Sequence, residues 1–265
     1  MSGPVELGPL QLGIAALLLL VNAALSLWLR LALGRQLLIA AARTVVQLSV
    51  LGYILVPVFR LERPALIFAM ALVMVVLASH EALKRAGKRY PRARLNTFVA
   101  LLLASTLTLG VATRVVLDVD PWWKPRYFIP LLGMILGNAL TGVSLGLDRC
   151  LTELQEGRGR VEALLAFGAT RWEAARPVAV LSLRAGLIPI LNSMSVVGLV
   201  TIPGMMTGQM LGGTSPALAA RYQILIMFLI ASATALGAGL AIVLSLKSCF
   251  DSEGRLRDDR IVTRA

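Results

Sequence analysis

Histidine occurs once in this 265-residue chain, cysteine twice, and aspartate and glutamate together fourteen times. Cys150 and Cys249 supply neither a disulfide framework nor a paired metal motif. The sole histidine, His80 beside Glu81, sits at a predicted span boundary, where packing competes with metal binding or proton relay as its role. The pattern G-x-x-x-x-G-K-[ST] is absent, so the chain has no Walker A phosphate cradle, and any ATP-driven activity needs a second polypeptide. Charge is scarce too, at 15% of residues, against about 25% in soluble domains. All fourteen carboxylates fall in tails, connections or span ends. Proton- and sodium-driven carriers usually keep ionisable groups at span centres, so this distribution argues against them. The N-terminal MSGPVELGPLQLG has no Lys or Arg, and therefore lacks the basic region expected of a cleavable signal peptide.

What is abundant is apolar: 57% of residues, with a mean hydropathy of +0.79. That composition indicates an all-α, polytopic integral membrane protein. A helix crosses the hydrocarbon with about 20 mostly apolar residues. Seven stretches qualify: 9–33, 38–59, 64–83, 95–117, 127–147, 178–200 and 218–246. We read residues 1–265 as one membrane domain, with a long connection at 148–177, a Gly/Met-rich segment at 201–217 and a tail at 247–265. The formal charge of +12 does not indicate nucleic acid, because Lys and Arg lie between the apolar runs rather than along one face. Seven crossings put 20 of the 26 basic residues on one side. The positive-inside rule then places the N-terminus outside and the C-terminus in the cytoplasm. Trp122 and Trp123 suit an outer interfacial belt.

Two segments do not fit simple spans. Residues 197–216, VGLVTIPGMMTGQMLGGTSP, are uncharged, rich in glycine and methionine, and punctuated by Pro203 and Pro216. Irregular backbone at membrane depth survives where protein buries it or where it lines a cavity. A re-entrant or cavity-capping segment and a tight apolar hairpin both satisfy this sequence. In 148–177, Val161, Leu164, Leu165, Gly168 and Trp172 recur at helical spacing, which predicts a short amphipathic helix over 160–176. Such a helix lies on lipid or enters a groove on a partner. Gly168 implies a bend or a close backbone approach, which favours the partner.

Glu162-Ala163-Leu164 followed by Gly168 resembles the coupling loop of ABC transporter permeases, although Val180-Leu181 stands where importers of that class carry Leu-Pro. Three further blocks carry a wider resemblance: Arg43-Thr44-Val45-Val46-Gln47-Leu48, Ile129–Asn138, and Gly198–Gln209 with Leu211-Gly212-Gly213. Together they are similar to the FetB family of iron-exporting ABC permeases, to which plant aluminium-tolerance membrane proteins also belong. The resemblance covers nearly the whole chain. It implies a permease of the cell inner membrane that exports iron or another metal, working as a homodimer with two cytosolic ATPase subunits. ATP and Mg would be bound by those partners, with no cofactor in this chain. Coupling would fall to Glu162, Leu165, Gly168 and Trp172. A non-metal substrate, the import direction and a proton-coupled carrier remain as alternatives.

The candidate translocation path or gate comprises Gln47, Asn138, Asn192, Gly204, Gly208, Gln209 and Gln223. Their amides equally serve as hydrogen-bonding glue between helices. Gly204 and Gly208 are expected to need close backbone approach or unusual dihedrals. Gly133, Gly137, Gly142 and Gly146 mark the fifth span for tight packing, at a homodimer axis or within one subunit. Met205, Met206 and Met210 are soft-metal candidates or apolar lining. The residues give no independent support for iron.

Overall fold

The computed structural model describes residues 8–29, 34–251 and 253–263. Seven long helices carry the fold: α1 (Pro9–Trp28), α2 (Gly34–Leu61), α3 (Pro64–Arg85), α4 (Ala93–Gly110), α5 (Pro125–Glu156), α7 (Arg171–Val196) and α9 (Pro216–Cys249). Two short ones, α6 (Arg158–Ala166) and α8 (Gly204–Leu211), sit in connections, and α4 runs on as a π-helix over Val111–Val116. Among the described residues, extended pairing is limited to isolated bridges and a two-residue antiparallel ladder, β1 (Lys88–Arg89) with β2 (Val262–Thr263). Among the described residues, six helices are long and apolar enough to cross a membrane, and α1 contains the apolar stretch Leu10–Leu19. The chain is an all-α polytopic membrane protein. Residues 30–33 of the first expected span lie outside the described residues.

Several helices outrun the apolar stretches that predict them. The fifth span was expected to end at 147, yet α5 continues to Glu156, 32 residues in all. At 1.5 Å per residue that is about 48 Å, against a hydrocarbon core of about 30 Å. α7 begins at Arg171 rather than 178, because Thr170 and Glu173 form a capping box. The Glu173 carboxylate accepts from the Thr170 N–H at 2.8 Å, and the Thr170 hydroxyl accepts from the Glu173 N–H at 3.3 Å. Those bonds satisfy amides the helix would otherwise leave open.

α5 is the central helix and packs against α3, α4, α7 and α9. Its buried face includes Leu132, Ile135, Leu136, Ala139, Val143, Leu147 and Leu151. Within this packing the glycines of α5 divide. A methyl at Gly142 would lie 2.9 Å from the Gly186 carbonyl oxygen and collide with Thr234, and one at Gly186 would lie 2.6 Å from the Gly142 carbonyl oxygen. Helices α5 and α7 therefore cross backbone to backbone. A methyl at Gly146 would press on Ile242 at 3.2 Å, whereas Gly137 has open space. Gly142 and Gly146 thus serve packing within the subunit.

α2 stands apart. It packs on α1 and touches α5 only lightly, and none of its apolar window is buried.

The ends of the bundle are distinct. At one, the α3–α4 connection, the C-terminal end of α5, α6 and the tail meet. The Gly87 N–H donates to Asp148 Oδ1 at 2.8 Å, Lys88 and Arg89 pair with Thr263 and Val262, and Gln155 Nε2 donates to the Ile261 carbonyl at 3.1 Å. Arg158 Nη1 donates to Asp258 at 2.6 Å, and Arg260 Nη1 to the Ser248 carbonyl at 3.2 Å. The tail is thus folded back onto the bundle. At the other end, Trp122 joins Phe68 and Phe128, with ring centroids 5.7 and 5.9 Å away, and Trp123 stacks edge-on at 5.7 Å. Both tryptophans are half-buried in this cluster.

Candidate functional site

The predicted amphipathic helix over 160–176 is two helices with a turn between them. α6 ends at Ala166, and Gly168 adopts φ +89, the left-handed region that closes helices. The Gly168 and Ala169 N–H groups donate to the carbonyls of Leu165 and Leu164, both at 3.0 Å, and α7 starts at Arg171. Periodicity alone did not reveal the break, because apolar residues resume in register after it. A methyl at Gly168 meets nothing, so this glycine supplies a bend and not a close approach.

Within the turn, Val161 is fully buried and anchors α6 on the bundle, while Leu164 and Leu165 are half-buried. Trp172 is 53% exposed. Phe167, not singled out from the sequence, is 90% exposed at the tip. A phenylalanine so placed, ahead of a left-handed glycine and flanked by α6 and α7, is a knob without a socket in its own chain. Glu162 faces a different task. Its carboxylate accepts from Arg158 Nε at 2.7 Å, and Arg158 also binds Asp258, so Glu162 ties α6 toward the tail. These two carboxylates hold the Arg158 guanidinium above its ordinary pKa, Glu162 contributing first. Beside the turn, Leu165, Thr170 and Trp172 with Glu253 and Arg255 wall a groove of about 640 Å³.

The Gly/Met-rich segment is ordered around α8. Val197 and Thr201 form a bridge, and the Gly198 N–H donates to the Thr201 carbonyl at 2.9 Å. Beyond α8, the Gly213 and Thr214 N–H groups donate to the carbonyls of Met210 and Gln209 at 3.0 and 2.9 Å. The backbone thus satisfies itself inside the segment, as apolar surroundings demand. The irregular backbone expected of this segment is corrected over its middle: Pro203 stands at the N-cap, where a missing N–H costs nothing, and the next eight residues are helical. The roles given to Gly204 and Gly208 change as well. Both are ordinary helical residues, and a methyl on either meets nothing. Left-handed backbone occurs instead at Gly198 (φ +81) and Gly213 (φ +90). The preceding turn exposes Leu199 at 87% and Val200 at 81%.

Beneath α8 lies a cavity of about 590 Å³, bounded by the start of α5, by α8 and by α9. Arg126, Tyr127, Met134, Met205, Gln209 and Tyr222 give it its chemistry, and no carboxylate lines it. Gln209 Oε1 is buried with no hydrogen-bond partner. Gln223, on α9 one residue beyond Tyr222, is 8% exposed and its Oε1 is likewise unpartnered. Met206 and Met210, an i,i+4 pair, do not line the cavity, so only Met205 of the three contributes to it.

The remaining path candidates are not gathered there. Gln47 is exposed on α2, and Asn192 is exposed on α7. Asn138 is exposed on α5, where its Nδ2 donates to the carbonyl of Met134, a cavity residue, at 2.9 Å. No group of three or more His, Cys, Asp or Glu residues capable of holding a metal occurs among the described residues. Arg126 and Tyr127 were not among the path candidates because they stand at the start of a predicted span, where such residues read as interface anchors; Tyr222, inside the last predicted span, entered only through the family resemblance.

The chain is similar to known proteins over nearly its whole length. It is 40% identical to the UPF0014 membrane protein slr1647 of Synechocystis sp., over 80% of this chain and 82% of that one. It is 35% identical to the UPF0014 membrane protein STAR2 of Oryza sativa subsp. japonica, covering 89% and 81% of the two chains. It is 31% identical to the probable iron export permease protein FetB of Escherichia coli K12, covering 93% of each. No solved structure matches. The family model described as "Uncharacterised protein family (UPF0014)" matches residues 9–250, and the chain belongs to that family of membrane proteins.

Proposed function

We propose that this chain is the membrane-spanning permease subunit of an ABC transporter, exporting iron or another metal and driven by a separate cytosolic ATPase. The observation that carries the reading is the turn between α6 and α7. It projects Phe167 and Trp172 from the end of the bundle where the tail and the basic α3–α4 connection gather. An apolar knob on a short helix is the shape that enters a groove on a partner. ATP and Mg bind in that partner, and closure of an ATPase pair moves α6 as a lever on α5 and α7. The relative named as an iron export permease supports the export direction and the cargo.

The same reading places two permeases side by side. Gln47, Asn138 and Asn192 are exposed amides on membrane helices, and such groups are costly against lipid. A second copy gives them cover. The basic bias supports an orientation with the N-terminus outside, the tail in the cytoplasm and α8 at the outer mouth.

A second reading concerns cargo. The cavity under α8 holds one cation, Arg126, and no carboxylate. That favours a substrate carrying negative charge, such as a metal chelate or a non-metal anion, over a bare cation. The test of the proposal is purification from native membranes by a tag on this chain. Co-purifying, vanadate-sensitive ATPase activity that rises with iron supports it. A preparation free of any ATPase, still able to transport, refutes it.

A further inference from the structure

The basic end of the bundle holds another recess, separate from the cavity under α8 and from the α6–α7 turn. It lies where α3 ends and α4 begins and has a volume of about 250 Å³. His80, Leu83, Arg89, Tyr90, Arg92 and Arg94 line it. Three are guanidinium groups, one is an imidazole, and none is a carboxylate. The nearby acids are engaged elsewhere: Glu81 pairs with Arg85 at 3.6 Å, and Asp148 accepts from the Gly87 N–H. Arg89 Nε is buried and has no hydrogen-bond partner. The rest of this half-exposed guanidinium reaches the recess, and an anion there supplies the acceptor that Nε lacks.

Basic residues at one end of a membrane protein ordinarily serve orientation and stay solvated. Here they surround a half-open recess with a buried floor, where Leu83, Tyr90 and Ala93 are buried, Arg89 is half-buried, and His80, Arg92 and Arg94 form the exposed rim; two features fix its shape. The β1–β2 ladder fixes Arg89 against Val262. Arg92 is fixed in the left-handed region at φ 62, as the residue that enters α4. α3 and α4 also expose apolar side chains to their surroundings, among them Val73, Leu77, Leu95 and Leu103.

We propose that this recess is a phosphate-binding site, taking the phosphate of an anionic phospholipid headgroup or of a soluble phosphate. Planar guanidinium groups match phosphate oxygens in pairs, which is why arginine predominates in such sites. A headgroup seated here leaves its acyl chains along the apolar faces of α3 and α4, and a basic recess between membrane helices is a known kind of lipid site. The site is independent of the cargo and of the ATPase partner.

The experiment is a thermal-unfolding series on the purified full chain in neutral detergent. The micelles are doped with phosphatidylglycerol or with diacylglycerol, which lacks the phosphate, and a parallel series receives inorganic phosphate alone. Wild type is compared with Arg89→Gln/Arg94→Gln, and with Lys247→Gln/Arg176→Gln, which removes two exposed cations of the same end outside the recess. Stabilisation by phosphatidylglycerol but not diacylglycerol identifies a lipid headgroup, and stabilisation by inorganic phosphate identifies a soluble ligand. Either result supports the site if it is lost in the recess variant and kept in the control. Retention of phosphatidylglycerol in native mass spectrometry should fall several-fold in the same variant. If the double variant does not fold, Arg94→Gln alone, on the exposed side of α4, takes its place. An equal response in all three proteins, or no response to either probe, overturns the proposal.

Discussion

Gly142 and Gly186 show what a single residue contributes here. Their backbones approach until neither position has room for a methyl. We expect Gly186→Val to lower stability by at least the ~1–3 kcal/mol typical of overpacking, read as a fall in melting temperature. Gly208 is a helical residue with open space around it. Gly208→Ala should therefore be neutral or stabilise by up to about 1 kcal/mol. Gly213→Ala should cost roughly 1–2 kcal/mol, because φ +90 is unfavourable for an L side chain. Melting curves of the three variants give the ranking, and a destabilised Gly208→Ala beside a neutral Gly213→Ala would contradict this account of α8. Met205→Leu preserves volume and apolarity in the cavity but removes the sulfur, and transport should persist; its loss would favour a thioether metal ligand. The glycine stripe of α5 was legible from its spacing. Its partner Gly186 was not, because one sequence carries no record of which helices touch.

At the scale of elements, the turn between α6 and α7 and the tail behind it form one assembly. Phe167→Ala should leave expression and melting temperature unchanged, since the side chain is 90% exposed. It should sharply reduce co-purification of an ATPase partner, and full recovery of the partner would contradict the role given to this turn. Asp258→Ala breaks the contact with Arg158. The pair is half exposed and worth at most about 1 kcal/mol, so melting should move by no more than about 4 °C. Amide exchange in the Lys88–Thr263 ladder should nevertheless quicken, and unchanged exchange would show that the tail is held by other means. Hydropathy marked residues 148–177 and the tail as lying outside the membrane. It could not find the break at Gly168, because a left-handed glycine interrupts the backbone without interrupting the apolar pattern. Nor could it place the tail, whose anchors are polar contacts with residues about a hundred positions away.

For the whole molecule, the all-α membrane architecture was legible because lipid demands long apolar runs with internally satisfied backbone. The isolation of α2 was not, since an apolar helix has the same composition whether lipid, its own chain or another chain covers it. Orientation is open to direct labelling: Ala166→Cys and Ser215→Cys are both exposed and lie on opposite ends of the bundle, and the native cysteines are buried. An impermeant thiol reagent added outside cells should modify the Ser215 variant and spare the Ala166 variant, and the reverse pattern would invert the topology. The most direct test of the central claim is iron movement into inside-out vesicles containing this chain and its co-purified ATPase, with wild type beside Phe167→Ala. The account predicts accumulation that requires ATP, stops with vanadate and is lost in the variant. Iron accumulation by this chain alone, driven by a proton gradient and indifferent to Phe167, would contradict it.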